Sequence, residues 1–291
     1  MNDLSKPFKT ECEIQVVSAG LIIKKNDPHA QQHADTVADW LRSKNISVHL
    51  NTINPDMDLL IVLGGDGTLL HIAEQAARYS IPVTGINLGN LGFLTEFAEN
   101  ETGHVLEEIL GGKVMIENRL MLKTRILKKG EKPAPYRYAL NDIVINKNTL
   151  DRLLHLATRA GEDYITTYKA DGLIFSSPTG STAYNLSAGG PLVYPGLNTI
   201  LVTPICPFML SSRPIILPAT TPITTEFASS GKAECAQVIV DGQPCWEMLE
   251  GDKIEVEPAE HALRLIVSST RDYFTILRNK LHWGNLDSEK Q

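Results

Sequence analysis

One stretch limits the possible folds more than any other. Leu59-Leu60-Ile61-Val62-Leu63 is an unbroken apolar run, and Gly64-Gly65-Asp66-Gly67-Thr68 follows it at once. A strand that is apolar at every position needs cover on both faces, which is the habit of parallel sheets sandwiched between helices. Glycines let backbone come close to a ligand without side-chain clash. The N–H groups that open the following helix suit a phosphate. Asp66 is the only charged side chain in the turn, so a phosphate held there has a candidate general base beside it. The same residues also fit a plain turn, since Asp-Gly is a common turn pair and Asp a common helix cap.

The flanking sequence fits such a sheet. Residues 14–17, 21–23, 46–50, 58–63 and 81–86 read as strands, and 28–44 and 68–79 as helices. In the first helix Ala30, Ala34, Val37, Ala38 and Leu41 recur at helical spacing behind Pro28. This βα alternation predicts a three-layer Rossmann-like α/β domain over 1–110, with 103–110 as its last helix. Ligands in such sheets sit beyond the carboxyl ends of the strands, where Asp66 and Asn87 fall. After Gly111 the pattern changes to short β-prone runs at 115–127, 136–145, 151–160, 164–169, 173–175, 215–217, 221–227, 236–240, 253–257 and 263–268. They predict a β-sandwich-like domain over 111–269. Residues 128–135 read as an exposed hairpin tip. A weak helix over 272–281 suggests that the tail, 270–291, packs back on the first domain.

The chain has 291 residues, 43% of them hydrophobic, and a net charge of −7. That length suffices for two moderate cores, and the acidic balance does not suggest nucleic-acid binding. No apolar stretch reaches the roughly 20 residues that span a membrane, and 1–13 has no signal-peptide pattern. Cys12, Cys206, Cys235 and Cys245 form no Cys-x-x-Cys pair, so reduced, buried thiols in a cytoplasmic protein are expected.

A second polar constellation runs from Asp171 to Pro191 and includes Ser176-Ser177-Pro178-Thr179-Gly180-Ser181-Thr182-Ala183-Tyr184-Asn185-Leu186-Ser187. Its hydroxyls and small residues suit the edge of a base or a ribose, and Tyr184 suits stacking on a ring. The alternative is a Gly/Ser-rich surface loop. Asn141 and Asp142 follow an apolar strand end. An amide pairs with adenine and a carboxylate accepts from ribose hydroxyls, although Asn-Asp is also a common turn. Arg152 and Lys169 are candidates for the local positive charge that an anionic nucleotide needs, or are solvated surface charges. His71, one helical turn after Gly67, either faces the same mouth or is an ordinary helix residue.

Together these blocks resemble the NAD kinases, which phosphorylate NAD to NADP. The likeness spans about 59–243. Gly64 to Thr68, Asn87-Leu88-Gly89-Asn90-Leu91-Gly92-Phe93-Leu94, Leu140-Asn141-Asp142 and the Asp171 to Pro191 run carry it. The first block also occurs in lipid kinases and, in similar form, in phosphofructokinases. The Thr179 to Tyr184 block is more specific to NAD kinases. The resemblance implies that Asp66 accepts the proton of the 2′-hydroxyl of the adenosine ribose and that Gly67 offers backbone to a phosphate. It implies that Asp171, Thr182, Ala183, Tyr184, Ser187 and Gln243 line the dinucleotide. Taken alone, Gln243 reads as a hairpin turn residue. Two departures stand out: Asp142 where the family usually has Glu, and Phe208 after Pro207 where a His is common.

The resemblance further implies ATP, or another triphosphate or polyphosphate, as donor. A divalent cation, most simply Mg2+, would accompany it on the phosphate oxygens, with no protein metal ligand named. It implies a homodimer or homotetramer with active sites shared between subunits. The competing readings are a lipid or sugar kinase sharing the glycine turn, and a non-catalytic NAD(H)-binding sensor.

Overall fold

The computed structural model describes residues 8–89, 92–148, 152–228 and 235–282. Asn90 and Leu91 of the second block, Asp151 of the expected strand 151–160, the start of the segment 1–13 and residues 283–291 of the tail lie outside them. The chain divides into two compact units. One runs to Asn118 and resumes at Leu263; the other is Arg119–Ala262.

The first unit begins with β1 (Lys9–Glu13), β2 (Ser18–Ile23), α1 (Pro28–Ser43), β3 (Ser47–Leu50), β4 (Leu59–Leu63), α2 (Asp66–Arg78), β5 (Val83–Asn87), β6 (Phe97–Ala98), α3 (Thr102–Leu110) and β7 (Lys113–Arg119). The second unit holds β8 (Leu122–Leu127), β9 (Arg137–Ala139), β10 (Asp142–Lys147), β11 (Leu154–Ala160), β12 (Asp163–Ala170), β13 (Gly172–Ser176), a 3-10 turn (Thr179–Thr182), α4 (Tyr184–Ser187), β14 (Thr199–Ile205), β15 (Ile215–Pro218), β16 (Ile223–Phe227), β17 (Cys235–Val240), β18 (Gln243–Leu249) and β19 (Lys253–Pro258). The first unit then regains β20 (Leu263–Val267) and α5 (Tyr273–Leu281).

The first unit is one sheet in the order β1-β7-β20-β5-β4-β2-β3, with β6 beside β5. β3, β2, β4 and β5 run parallel. Every residue of β4 is buried, and Leu59, Ile61 and Leu63 share one core with Ala34, Val37 and Leu41 of α1 and with Val105 and Ile109 of α3. α2 packs on β4, β5 and β20. It buries Leu69, Ile72, Ala73, Ala76 and Ala77. α1 starts where the Asp27 side chain accepts from Ala30 N–H at 3.1 Å and Pro28 supplies a preset φ. Parallel strands end on one edge, so Lys24 after β2, Gly64 to Asp66 after β4 and Asn87 of β5 gather there.

The second unit is two antiparallel six-stranded sheets, β15-β14-β13-β10-β17-β18 and β12-β11-β16-β19-β8-β9. Alternate residues of both, among them Ile143, Phe175, Leu156 and Val256, form one core. β-Rich packing of this kind is a sandwich.

Several expectations need correction. Residues 14–17 form no strand; they link β1 to β2, and the Ile14 and Val17 amides go to Gly112 O and the Asp58 carboxylate instead. The run 115–127 is two strands, one in each unit, and the crossing falls at Arg119 rather than at 110. The run 263–268 belongs to the α/β sheet. β20 pairs parallel with β5 through Leu265 and Val83, and Leu263, Leu265, Ile266 and Val267 are all buried. β14, across Pro204, and β18 had no counterpart in the sequence reading. The cysteines are free but not buried: Cys206 is exposed and the other three are half-buried.

Candidate functional site

The apolar drive of β4 ends in the glycine turn, and α2 begins at Asp66 itself, two residues earlier than its periodicity predicts. This puts the carboxylate in the first helical turn, where the helix dipole favours negative charge. Four hydrogen bonds then fix it. Asp66 Oδ2 accepts from Phe93 N–H at 2.9 Å. Oδ1 accepts from Leu94 N–H at 3.1 Å, Thr95 N–H at 3.0 Å and Thr95 Oγ1 at 2.9 Å. Buried Asn87 donates to Thr95 Oγ1 at 2.8 Å, which orients that hydroxyl toward Asp66. A carboxylate has about four lone-pair sites, two per oxygen. Oδ1 is saturated; Oδ2 keeps room for one more donor.

Gly92 makes this clamp possible. A Cβ there would overlap Asp66 Oδ1 and crowd Thr95 Oγ1. Gly64 is likewise required by packing, its Cβ position lying 2.7 Å from Thr68 Oγ1. Gly65 and Gly67 differ: a Cβ on either would meet nothing within 4 Å.

Asp66 lines a cleft of about 320 Å³ with Lys24, Gly65, Asn87, Gly92 and Lys280. Lys24 is exposed and pairs with Asp27 at 3.0 Å. Lys280 comes from α5, whose lead-in is anchored where Arg271 donates to Glu96 O at 2.6 Å and pairs with Glu101. Asp272 caps α5 by accepting from Thr275 N–H at 3.0 Å. His71 is exposed and does not line this cleft; it faces the neighbouring groove with Gly67 and Thr68.

In the second unit the expected residues fall into two sets. Asp241, at φ 45°, turns the β17–β18 hairpin and accepts from Leu140 N–H at 2.7 Å, Asn141 N–H at 2.8 Å and Asp142 N–H at 3.0 Å. This cap breaks the expected strand 136–145 into β9 and β10. Asn141 O accepts from Ser177 N–H at 2.9 Å, which joins the Asn141-Asp142 step to the turn carrying Thr182, Ala183 and exposed Tyr184. Asn185 is buried and bonds Ser181 O, Pro191 O and Thr203 Oγ1, so it supports the segment from within. Ser187 closes α4, and Gln243 opens β18 opposite Val240. The other set lies past the far end of β13. Asp171 precedes that strand and pairs with Lys147 at 2.5 Å; Lys169 and Arg152 are exposed nearby on β12 and before β11. Five strand residues separate the sets by about 17 Å.

Asp142 is buried, and burial together with the neighbouring Asp241 carboxylate pushes its pKa up to about 7. Asp241 is also raised by burial, against the pull of its three amide donors.

A mononucleotide-type α/β sheet with a glycine turn and a clamped carboxylate, joined in sequence to a β-sandwich, defines a nucleotide-handling phosphotransferase. The ATP-NAD kinase N-terminal domain matches residues 11–114, and the ATP-NAD kinase C-terminal domain matches 140–268. The NAD kinase of Syntrophotalea carbinolica is 40% identical over 91% of this chain and 98% of its own. That of Heliobacterium modesticaldum is 41% identical over 92% and 99%. Yeast NADH kinase, solved with NADH, superposes with a TM-score of 0.85 at 25% identity over 96% of this chain and 90% of that one. An Archaeoglobus fulgidus NAD kinase, solved with ATP, shares the fold at a TM-score of 0.70 and 24% identity over 91% and 98%. The chain belongs to the NAD kinase family. A lipid or sugar kinase finds no support among these relatives. No helix among the described residues is long and apolar enough to cross a membrane.

The sequence reading named Asp66 but not the amides that hold it, nor Lys24 and Lys280. Lys24 was findable, because it ends a strand on the ligand-binding edge; Lys280, more than 200 positions from Asp66, carried no local signal.

Two outcomes follow. Gly92→Ala forces the Asp66 carboxylate off its amides; turnover should fall about 100-fold, as for an ångström-scale misplacement, and unfolding free energy by about 1–3 kcal/mol. Wild-type kcat in that variant contradicts the clamp. Asp142 holds a proton in the folded chain that the unfolded chain releases, so its contribution turns unfavourable as pH rises from about 4 to about 7. Asp142→Asn should therefore gain stability over wild type in urea unfolding at pH 8 and little at pH 4. An equal gain at both contradicts the assignment.

Proposed function

We propose that the protein transfers the γ-phosphoryl group of ATP to the 2′-hydroxyl of the adenosine ribose of NAD, giving NADP and ADP. The observation that carries this reading is the state of the Asp66 carboxylate: one oxygen saturated, the other with an acceptor position left, on the wall of a cleft with two lysines. The ribose oxygen attacks the γ-phosphorus. A P–O bond forms to it as the bond to the β–γ bridging oxygen breaks, and that electron pair leaves with ADP. The hydroxyl proton passes to Asp66 Oδ2 and on to solvent. Proton acceptance contributes about 10²–10⁴-fold, and holding the hydroxyl in line adds to it. Lys24 and Lys280 offset the phosphate charge. Asn141, Thr182, Ala183, Tyr184, Ser187 and Gln243 hold the dinucleotide, as in the family; Asp142 does so with one methylene less reach than Glu.

A divalent cation, Mg2+, enters as the donor's counter-ion and supplies charge neutralisation on the phosphate oxygens. Among the described residues no three His, Cys, Asp or Glu side chains converge on a metal position. In this reading the triphosphate brings the ion's main ligands.

The protein works as a homodimer or homotetramer in the cytoplasm, with Arg152, Lys169 and Asp171 serving a partner's dinucleotide. Phe208 and Leu210, 71% and 87% exposed, support association, because Phe208 N–H donates to Lys169 O and places this apolar run beside that set.

Purified protein with ATP, Mg2+ and NAD should yield NADP, read by a dehydrogenase specific for the phosphorylated cofactor. Asp66→Asn should bind NAD with near wild-type affinity and lose about 10²–10⁴-fold in kcat. Undiminished turnover in that variant removes Asp66 from the proton transfer. Binding without NADP formation by the wild-type protein favours the sensor.

A further inference from the structure

Asp66 is not the only carboxylate that holds a run of backbone amides. In the β-sandwich Asp241 accepts from Leu140, Asn141 and Asp142 N–H, at 2.7, 2.8 and 3.0 Å. Its place in the β17–β18 hairpin gives it that reach. Asp241 and Gly242 have φ of 45° and 76°, the pair of positive values that a tight two-residue turn needs. Asp241 N–H also donates to Asp142 O at 2.9 Å.

The carbonyl side of the same corner is held as well. Ser177 N–H and Ser176 Oγ donate to Asn141 O at 2.9 and 3.3 Å, and Ser177 Oγ donates to Leu140 O. Gly180 packs so close that a Cβ on it would overlap Asn141 O. All of these bonds fix backbone. None reaches the Asp142 carboxylate, although Asp142 is only 6% exposed. Among the described residues no hydrogen-bond donor meets that carboxylate. An ionised carboxyl group buried without a donor is unfavourable, and it takes up a proton instead.

Asp241 is the one charged group that acts on Asp142. Ser176 of β13 stands opposite Asp142, and on β17 the nearest paired residue is Val240. Arg137 of β9 acts on the Cys245 thiol of β18 and not on Asp142. Burial raises Asp241 too, but its three N–H donors favour its charged form. Asp142 has no such donors, so of the two it is Asp142 that holds the proton. Two hydroxyl donors from the vicinal diol of a ribose would satisfy its ionised form.

We infer that Asp241 is a positioning residue for the acceptor: it aims the Asn141-Asp142 step and keeps on Asp142 a proton that the dinucleotide displaces. The inference rests on the reading that Asn141 and Asp142 hold the dinucleotide, and it adds a proton linkage to that contact. The proton leaves to solvent as ribose hydroxyls donate to the Asp142 oxygens; no covalent bond of the dinucleotide forms or breaks. A proton bound in the free protein and absent from the complex weakens binding as pH falls.

The test is direct titration of NAD onto the full chain, without phosphoryl donor, from about pH 5.5 to about pH 8.5. Wild-type Kd should be level above about 7 and rise about tenfold for each pH unit below it. Calorimetry at about pH 6, in two buffers of different ionisation heat, should count about one proton released per NAD. Asp142→Asn should bind with a flat profile and release none. Asn-Gly and Gly-Gly both suit the hairpin turn, so Asp241→Asn and Asp241→Gly remove the charge while keeping the turn. In both, the bend in the profile should move to lower pH by about one unit or more, and binding at pH 8 should weaken. General loosening of the fold would weaken binding and leave the bend in place. A flat wild-type profile, or proton release that persists in Asp142→Asn, overturns the proposal. So do folded Asp241 variants that keep the wild-type bend. A protein that binds NAD with this proton release yet forms no NADP defeats the transfer reading and leaves the role of Asp241 standing.

Discussion

The chemistry proposed for the glycine turn depends on one carboxylate being held still. Three consecutive amides and a hydroxyl from residues 93–95 converge on Asp66. Side chains that carry proton transfer lose much of their effect when they wander, so in the role proposed for Asp66 a base fixed before substrate arrives saves reorganisation at the moment of reaction. The unequal distribution of those bonds matters as much as their number. Three donors on Oδ1 lock orientation, while one on Oδ2 leaves that oxygen able to accept. Hydrogen bonds to a charged acceptor are worth about 1.5–3 kcal/mol each, so the clamp also ties the loop after Asn87 to the start of α2. On the proposed role of Asp66, activity and local stability are coupled through the same four contacts.

The rest of the α/β unit serves this arrangement. Parallel strands deliver Lys24, the glycine turn and Asn87 to one edge, and β20 returns late in the chain to complete the sheet on the far side of β5. That return brings α5 and Lys280 to a cleft otherwise made from residues 24–92. The last strand and helix are thus part of the site, and a chain cut after the β-sandwich would lack both a sheet strand and a cleft wall.

How much of this was legible follows from how local each signal is. β4, α1 and α2 were readable because an all-apolar run and a 3.6-residue stripe are written within a dozen positions. Asp66 was readable because a lone charge among glycines has few structural reasons. The clamp was not, because backbone amides have no letter; only Gly92 hinted at it, and its reason appears once Asp66 Oδ1 is seen in its Cβ position. β20 was misassigned to the sandwich because its neighbours β17 to β19 are strands, although Leu263, Leu265, Ile266 and Val267 are all buried and only Arg264 interrupts the apolar run of a covered parallel strand. The break at Asn141 was hidden for a similar reason: Asp241, a hundred positions away, makes it. β14 was missed because Pro204 reads as a stop, yet it sits near the strand's end opposite Leu173.

A high-resolution structure of the protein with NAD bound tests the central claim most directly. The account predicts the ribose 2′-oxygen within about 2.6–3.2 Å of Asp66 Oδ2, with the bonds from Phe93, Leu94 and Thr95 all retained. A dinucleotide whose 2′-oxygen lies out of reach of Asp66, or a carboxylate that has left the three amides to meet it, contradicts the account.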